Sequence, residues 1–345
     1  MRDAVEIQML QPWTWQVSGQ VAESEGDAAQ ALTHAAAGYQ PLVIRGLASH
    51  WPLVQSGGPQ NAAQYLGQFD QGAFAKTMLG PPAIAGRFFY ADDMKGYNFA
   101  VDKIAFAAIF AQLLAIAGDE NAPAIYAGSN PVDEFLPGFE AANHLPFDIP
   151  SSAPRIWIGN ATHVAPHFDV SDNIAVVALG RRRFTLFPPE QTPNLYVGPL
   201  DITIAGQPVS MVDIRSPDLT RYPLYAAAME HAVQVDLEPG DAIFIPTLWW
   251  HCVEALDPVN ILVNYWYNAP VHSSPFAALI HAMLAVRDLP VAERAGWKTW
   301  FENFVFSEDA ASAAAHLPPH AQGVSGPPSQ ERAQAVTAYV MRALN

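Results

Sequence analysis

The chain has 345 residues, half of them hydrophobic and 14% charged, which is enough for a sizeable core and too apolar for a disordered segment. A formal charge of −16 argues against nucleic acid and anionic membranes as partners, because both select basic surfaces. The single cysteine, Cys252, excludes an intrachain disulfide and a cysteine-based zinc site. Residues 1–20 read as irregular, with no basic start followed by an apolar run, and no apolar stretch is long enough to span a bilayer. The chain therefore reads as cytoplasmic.

Residues 25–39 are Ala-rich and predict a helix, and 41–46 (PLVIRG) a short buried strand. A helix is expected over 61–69, strands over 73–78 and 87–90, and a strongly apolar helix over 102–117. Then come a strand over 124–128, a helix over 131–142 and a proline-bearing connection over 143–154. From residue 155 the pattern changes to short strand-like runs bounded by Gly, Pro, Asn or Asp: 155–159, 164–169, 173–179, 182–187, 233–237, 241–245, 251–255 and 259–267. About eight such runs suit a double-sheet jelly roll, a mainly β fold with α additions. The long insertion over 190–230 is of the kind that usually carries function. Helical patterns return over 275–288, 290–304 and 330–344, the last after a Pro/Gly-rich link at 316–329. The expected organisation is 1–150 completing the core, 151–270 the jelly roll, and 271–345 a helical region.

The chemistry centres on 162–189, THVAPHFDVSDNIAVVALGRRRFTLFPP, which contains the only H-x-D of the chain, His167-Phe168-Asp169. Residues two apart on a strand share a face, so this imidazole and carboxylate reach one point in space. A second histidine would complete the two-histidine, one-carboxylate pattern of a non-haem iron. The best candidate is His251, in GDAIFIPTLWWHCVEAL. Taken singly, H-x-D arises by chance among 11 histidines, and His251 reads equally as a packed core residue. Together they gain weight, because non-adjacent jelly-roll strands face one cavity. In Arg181-Arg182-Arg183, alternation puts Arg182 on the face opposite its neighbours, so that one member of the cluster can point into the barrel, where a guanidinium clamps a carboxylate at two points. Asn264, in VNYWYN, reads equally as a backbone-bonding strand residue and as a pocket residue.

Several of these segments, in this order, resemble the cupin-like JmjC family of Fe(II)/2-oxoglutarate oxygenases, and within it the asparaginyl hydroxylase of hypoxia-inducible factor. They are PLVIRGLASHWP, HFDVSDN, GRRRFTLFPPEQ, LYVGPL, SPDLTRYP, PGDAIFIPTLWWH and VNYWY. The resemblance covers roughly 41–270. It implies a double-stranded β-helix core, iron at His167, Asp169 and His251, and 2-oxoglutarate as cosubstrate with O2. It also implies that Asn173, Asn264 and Tyr126 line the cosubstrate pocket, that Trp266 sits near the iron, and that C-terminal helices make a homodimer. Two positions depart from the family pattern. Arg182 stands where a Lys usually anchors the distal carboxylate. Val164 stands where a Thr usually donates a hydrogen bond worth about 1 kcal/mol, with Thr162 or His163 as candidates to compensate. The substrate is a protein, peptide or small molecule, met by the insertion and by 86–100, whose Phe88 and Phe89 read rather as satellite core. The alternatives are a degenerate metal-binding scaffold, or a metal-dependent cupin enzyme that uses no 2-oxoglutarate.

Overall fold

The computed structural model describes residues 17–343 apart from 18, 25, 151 and 271. The segment expected to be irregular over 1–20 lies outside the described residues except at its end. The chain divides into two compact units, Met1–Ala269 and Pro270–Asn345.

Among its described residues the first unit contains, with helices between them, fourteen strands. They are β1 (Gly19–Gln20), β2 (Ala22–Glu23), β3 (Leu42–Ile44), β4 (Phe74–Gly80), β5 (Ala100–Ala105), β6 (Ala124–Pro131) and β7 (Ala153–Gly159). There follow β8 (His163–His167), β9 (Asp172–Leu179), β10 (Arg182–Phe187), β11 (Val233–Leu237), β12 (Ala242–Ile245), β13 (Trp250–Ala255) and β14 (Asn260–Tyr267). A small sheet runs β1-β11-β10-β13-β8, and a large one β2-β3-β12-β9-β14-β7-β6-β4-β5. Pairing is antiparallel except at β1–β11 and β2–β3. The two sheets close on one another as the expected jelly-roll sandwich.

Strand β9 shows why an almost continuous apolar run belongs at the centre. Its Ile174, Val176 and Ala178 pack into a core that includes Leu66 and Ala62 of the helix Pro59–Gly67 and Phe106, Ile109 and Leu113 of the helix Phe106–Ile116. The alternate residues Ala175 and Val177 face a second core between the sheets, with Phe184, Leu186 and Ile243. Both faces of the strand are thus covered, so alternation is hidden in composition. Truncating Phe184, 1% exposed, to alanine would cost about 3–5 kcal/mol.

Before residue 150 three elements differ from expectation in type or continuity. The stretch 87–90 is not a strand and makes only isolated bridges, Arg87 to His163 and Tyr90 to Tyr97. The helix over 102–117 starts at Phe106, because 100–105 are taken into β5 by antiparallel pairing with β4. The helix over 131–142 is broken into Val132–Phe135 and Phe139–Ala142. Between them Pro137 lacks an N–H, and Gly138 adopts a φ of 93° that no helix allows.

The second unit contains the helices Pro275–Ala282, Val291–Phe301 and Gln330–Ala343, the first two running on into single π-helical turns. Among its described residues Ala314 is the one buried apolar side chain, while Leu284, Trp300 and Phe306 are well exposed. No helix among the described residues is long and apolar enough to cross a membrane.

Candidate metal centre

His167 closes β8 and lies opposite His251 of β13 in the small sheet. Their rings are 4.3 Å apart, and His251 Nε2 is 3.7 Å from Asp169 Oδ2. Among the described residues these three form the one group of ligand-type side chains that meets, each offering an atom within 4.8 Å of the others.

The route to this arrangement differs from simple alternation. Between β8 and β13 the register shifts: His251 faces His167 and Val253 faces Val164, so Cys252 stands opposite both Ala165 and Pro166. This is a β-bulge, and Pro166, which cannot donate to the ladder, sits in it. The extra residue puts His167 on the cavity face with Val164 and leaves His163 on the other side. Asp169 is not on the expected strand over 164–169, because β8 ends at His167. Its carbonyl accepts hydrogen bonds from Leu248 N (2.9 Å) and Thr247 Oγ1 (3.2 Å), which tie it to the turn before β13.

Both histidines have their outer nitrogen committed. His167 Nδ1 is 3.0 Å from the Ala165 carbonyl, and His251 Nδ1 is 3.0 Å from the Trp249 carbonyl. A carbonyl only accepts, so each Nδ1 carries the proton and each Nε2 keeps its lone pair toward the centre. Removal from water, and then the neighbouring His251, push His167 down to about 4, which favours the neutral, ligating form. Asp169 Oδ2 accepts from Asn173 Nδ2 (3.1 Å) and Trp266 Nε1 (2.9 Å).

The three side chains open into a cavity of about 120 Å³ between the sheets, whose lining includes Asn173, Asn264, Tyr126, Trp157, Trp266 and Arg182. Arg182 is 3% exposed, whereas Arg181 and Arg183 point outward and pair with Asp257 (2.9 Å) and Asp236 (2.7 Å). Along β10 it is thus Arg182 that faces inward, the position at which the family resemblance implied the anchor. Burial pulls the Arg182 guanidinium down from its ordinary range, and the Tyr126 phenol beside it is the interaction that opposes this. Burial likewise raises Tyr126, offset by Arg182. Arg182 Nε has no hydrogen-bond partner, and among the described residues no carboxylate pairs with this guanidinium. A buried cation without a counter-charge is costly, so its cavity suits an anion.

Val164 lines the cavity, and neither Thr162 nor His163 is among its lining residues. The insertion contributes Ile204, Ala205, Gln207 and Val209, and 86–100 contributes Phe88. Phe88 packs with Ala124 and Tyr126, and Phe89 with Tyr90 and Ala165, as satellite clusters. Trp157 was missed by the sequence reading. Its signal was the alternation Ile156-Trp157-Ile158, with both isoleucines fully buried in the helix-side core.

Residues 28–273 match the family described as "Cupin-like domain". The chain is 41% identical over 114 residues to HSPB1-associated protein 1 of Homo sapiens, covering 32% of this chain and 22% of that protein. It is 30% identical over 132 residues to lysine-specific demethylase JMJ31 of Arabidopsis thaliana (36% and 24%). It is 34% identical over 125 residues to tRNA wybutosine-synthesizing protein 5 of Mus musculus (36% and 34%). The matched segment thus spans between about a fifth and a third of the length of these relatives.

Proposed function

The chain belongs to the cupin-like, JmjC-type family, and from that premise we propose that it is an Fe(II)- and 2-oxoglutarate-dependent oxygenase that hydroxylates a protein, peptide or small-molecule substrate. The observation that carries this is the uncompensated guanidinium of Arg182 in the same cavity as the two histidines and the carboxylate. One end of that cavity suits a divalent ion, the other a carboxylate.

In this reading His167 Nε2, His251 Nε2 and Asp169 hold Fe(II), and the bound metal, 2-oxoglutarate and O2 supply the oxidising chemistry, with succinate and CO2 as co-products. Arg182 and Tyr126 hold the distal carboxylate of the cosubstrate. Asn173, Asn264 and Trp266 shape the space between. Phe88, Phe184 and Leu262, with Ile204 and Val209 of the insertion, give apolar walls that limit water. The unpaired Arg182 also counts against a degenerate scaffold, which has no need to retain a buried charge.

The names of two relatives point to lysine and to tRNA as targets. For this chain the charge of −16 favours a protein, peptide or small molecule over tRNA. The second unit leaves Leu279, Ile280 and Leu284 exposed on a helical face, which we assign to contact with a second copy of the chain. A monomeric mass in solution would overturn that assignment.

The test of the activity is anaerobic addition of Fe(II) and 2-oxoglutarate followed by visible absorption, then exposure to O2 with succinate quantified. A weak charge-transfer band and slow succinate release are expected. Metal binding without that band, and no succinate, would overturn the reading.

A further inference from the structure

We propose that Trp157, three hydrogen bonds away from Asp169, is a positioning residue for the metal centre. This rests on the reading that His167, Asp169 and His251 hold a metal.

The bonds form a chain with one direction. Trp157 Nε1 donates to Asn264 Oδ1 at 2.6 Å, Asn264 Nδ2 to Asn173 Oδ1 at 3.1 Å, and Asn173 Nδ2 to Asp169 Oδ2 at 3.1 Å. From the other side Trp266 Nε1 donates to the same Oδ2 at 2.9 Å. An indole N–H only donates. Asn264 must therefore turn its oxygen to Trp157, which leaves its nitrogen for Asn173. Asn173 must then turn its oxygen to Asn264, which leaves its nitrogen for Asp169. Reversing any one amide would set donor against donor or acceptor against acceptor. Asn264 is 1% exposed and Asn173 6%, so water is not at hand to repair such a clash.

Trp157 is itself well held. Its neighbours Ile156 and Ile158 are fully buried on the opposite face of β7, and its ring packs edge-on against Trp266 (5.8 Å) and beside Tyr126 (6.0 Å). An orientation fixed at Trp157 is thus passed through two amides to the carboxylate that faces His251. The asparagines that line the cavity act first on Asp169, and Trp157 sets which way each of them points.

The test reads metal affinity without turnover, by titrating the apoprotein with Mn(II) and following the paramagnetic resonance of free ion. The wild type should bind. Trp157→Phe, which keeps the ring and removes the donor, should weaken binding by about 10-fold, as loss of outer hydrogen bonds at metal sites commonly does. Asn173→Ala should weaken it at least as much. The double variant should be no weaker than Asn173→Ala alone, because the chain is already cut; a purely packing role for Trp157 would instead make the losses multiply. Asn264→Asp is a second probe of equal size. It offers oxygen on both sides, forces Asn173 to turn its carbonyl toward Asp169, and should weaken binding more than Trp157→Phe. Unchanged affinity in Trp157→Phe or Asn264→Asp, or multiplying losses in the double variant, would overturn the positioning role alone. A wild type that binds no Mn(II) would overturn the metal reading along with it.

Discussion

Strand β8 carries two imidazoles with opposite fates, one half-buried and one fully buried. His167 faces the cavity, and its Nδ1 is anchored on the Ala165 carbonyl. His163, 1% exposed, lies on the outer side of the small sheet with neither ring nitrogen hydrogen-bonded. Its nearest carboxylate, Asp213, is 3.9 Å away, and burial with the charges of Arg215 and Arg87 pushes it down to about 3. Both rings are therefore held neutral, so protonation state does not distinguish them. What marks out the candidate ligand is a committed second nitrogen and a convergent partner, which His167 has in His251 and Asp169. The inner and outer arginines of β10 repeat the contrast. Arg183 has Asp236, whereas Arg182 has only a phenol beside it.

The widest separation of the two faces is expected from Asp169→Ala. It should reduce succinate formation to background, while Asp213→Ala on the outer side leaves turnover measurable. Full turnover in Asp169→Ala would erase the distinction. Next, Arg182→Ala should raise the 2-oxoglutarate concentration for half-maximal turnover by roughly 10–150-fold, from loss of a charged hydrogen-bond set worth about 1.5–3 kcal/mol. Arg183→Ala should leave that concentration unchanged, and equal effects would move the anchor elsewhere.

A third prediction concerns pH. His163 has a folded-state value of about 3 against 6.5 for a free imidazole, so the unfolded chain binds its proton first. The contribution is absent above pH 6.5. Below it, folding stability falls by about 1.4 kcal/mol per pH unit for this site as the pH drops toward 3. Urea unfolding of His163→Phe should show a shallower loss between pH 6.5 and 5 than the wild type. The same slope in both would remove His163 from the account. The smallest effect is expected from Val164→Thr on the cavity face. One restored hydrogen bond of about 1 kcal/mol should lower the half-saturating 2-oxoglutarate about fivefold, and a rise would show that the hydroxyl is misplaced.

The candidate site was largely legible because its chemistry is tied to residue type. Only one H-x-D exists, and strand alternation separates the middle arginine of three from its two neighbours. The fold class was legible from short, turn-bounded apolar runs. Residues 102–105 were less so: they read as part of an apolar helix, yet β4 offers them a ladder, and pairing with a distant strand overrides local preference. The exposed aromatic residues of the second unit escaped for a similar reason. Amphipathic spacing says that a face is apolar, not what covers it.

By itself the sequence determined which side chains are available to bind a metal and an anion, and roughly which strands carry them, because ligand chemistry and strand period are local properties. Tertiary structure decided how they meet. The bulge at Ala165-Pro166 resets the alternation so that His167, not His163, enters the cavity, and the turn before β13 captures Asp169 beyond the strand end. The hydrogen-bond chain from Trp157 joins three strands whose members lie up to 107 positions apart. Register shifts and contacts at such separation depend on which strands become neighbours, which no local window of sequence contains.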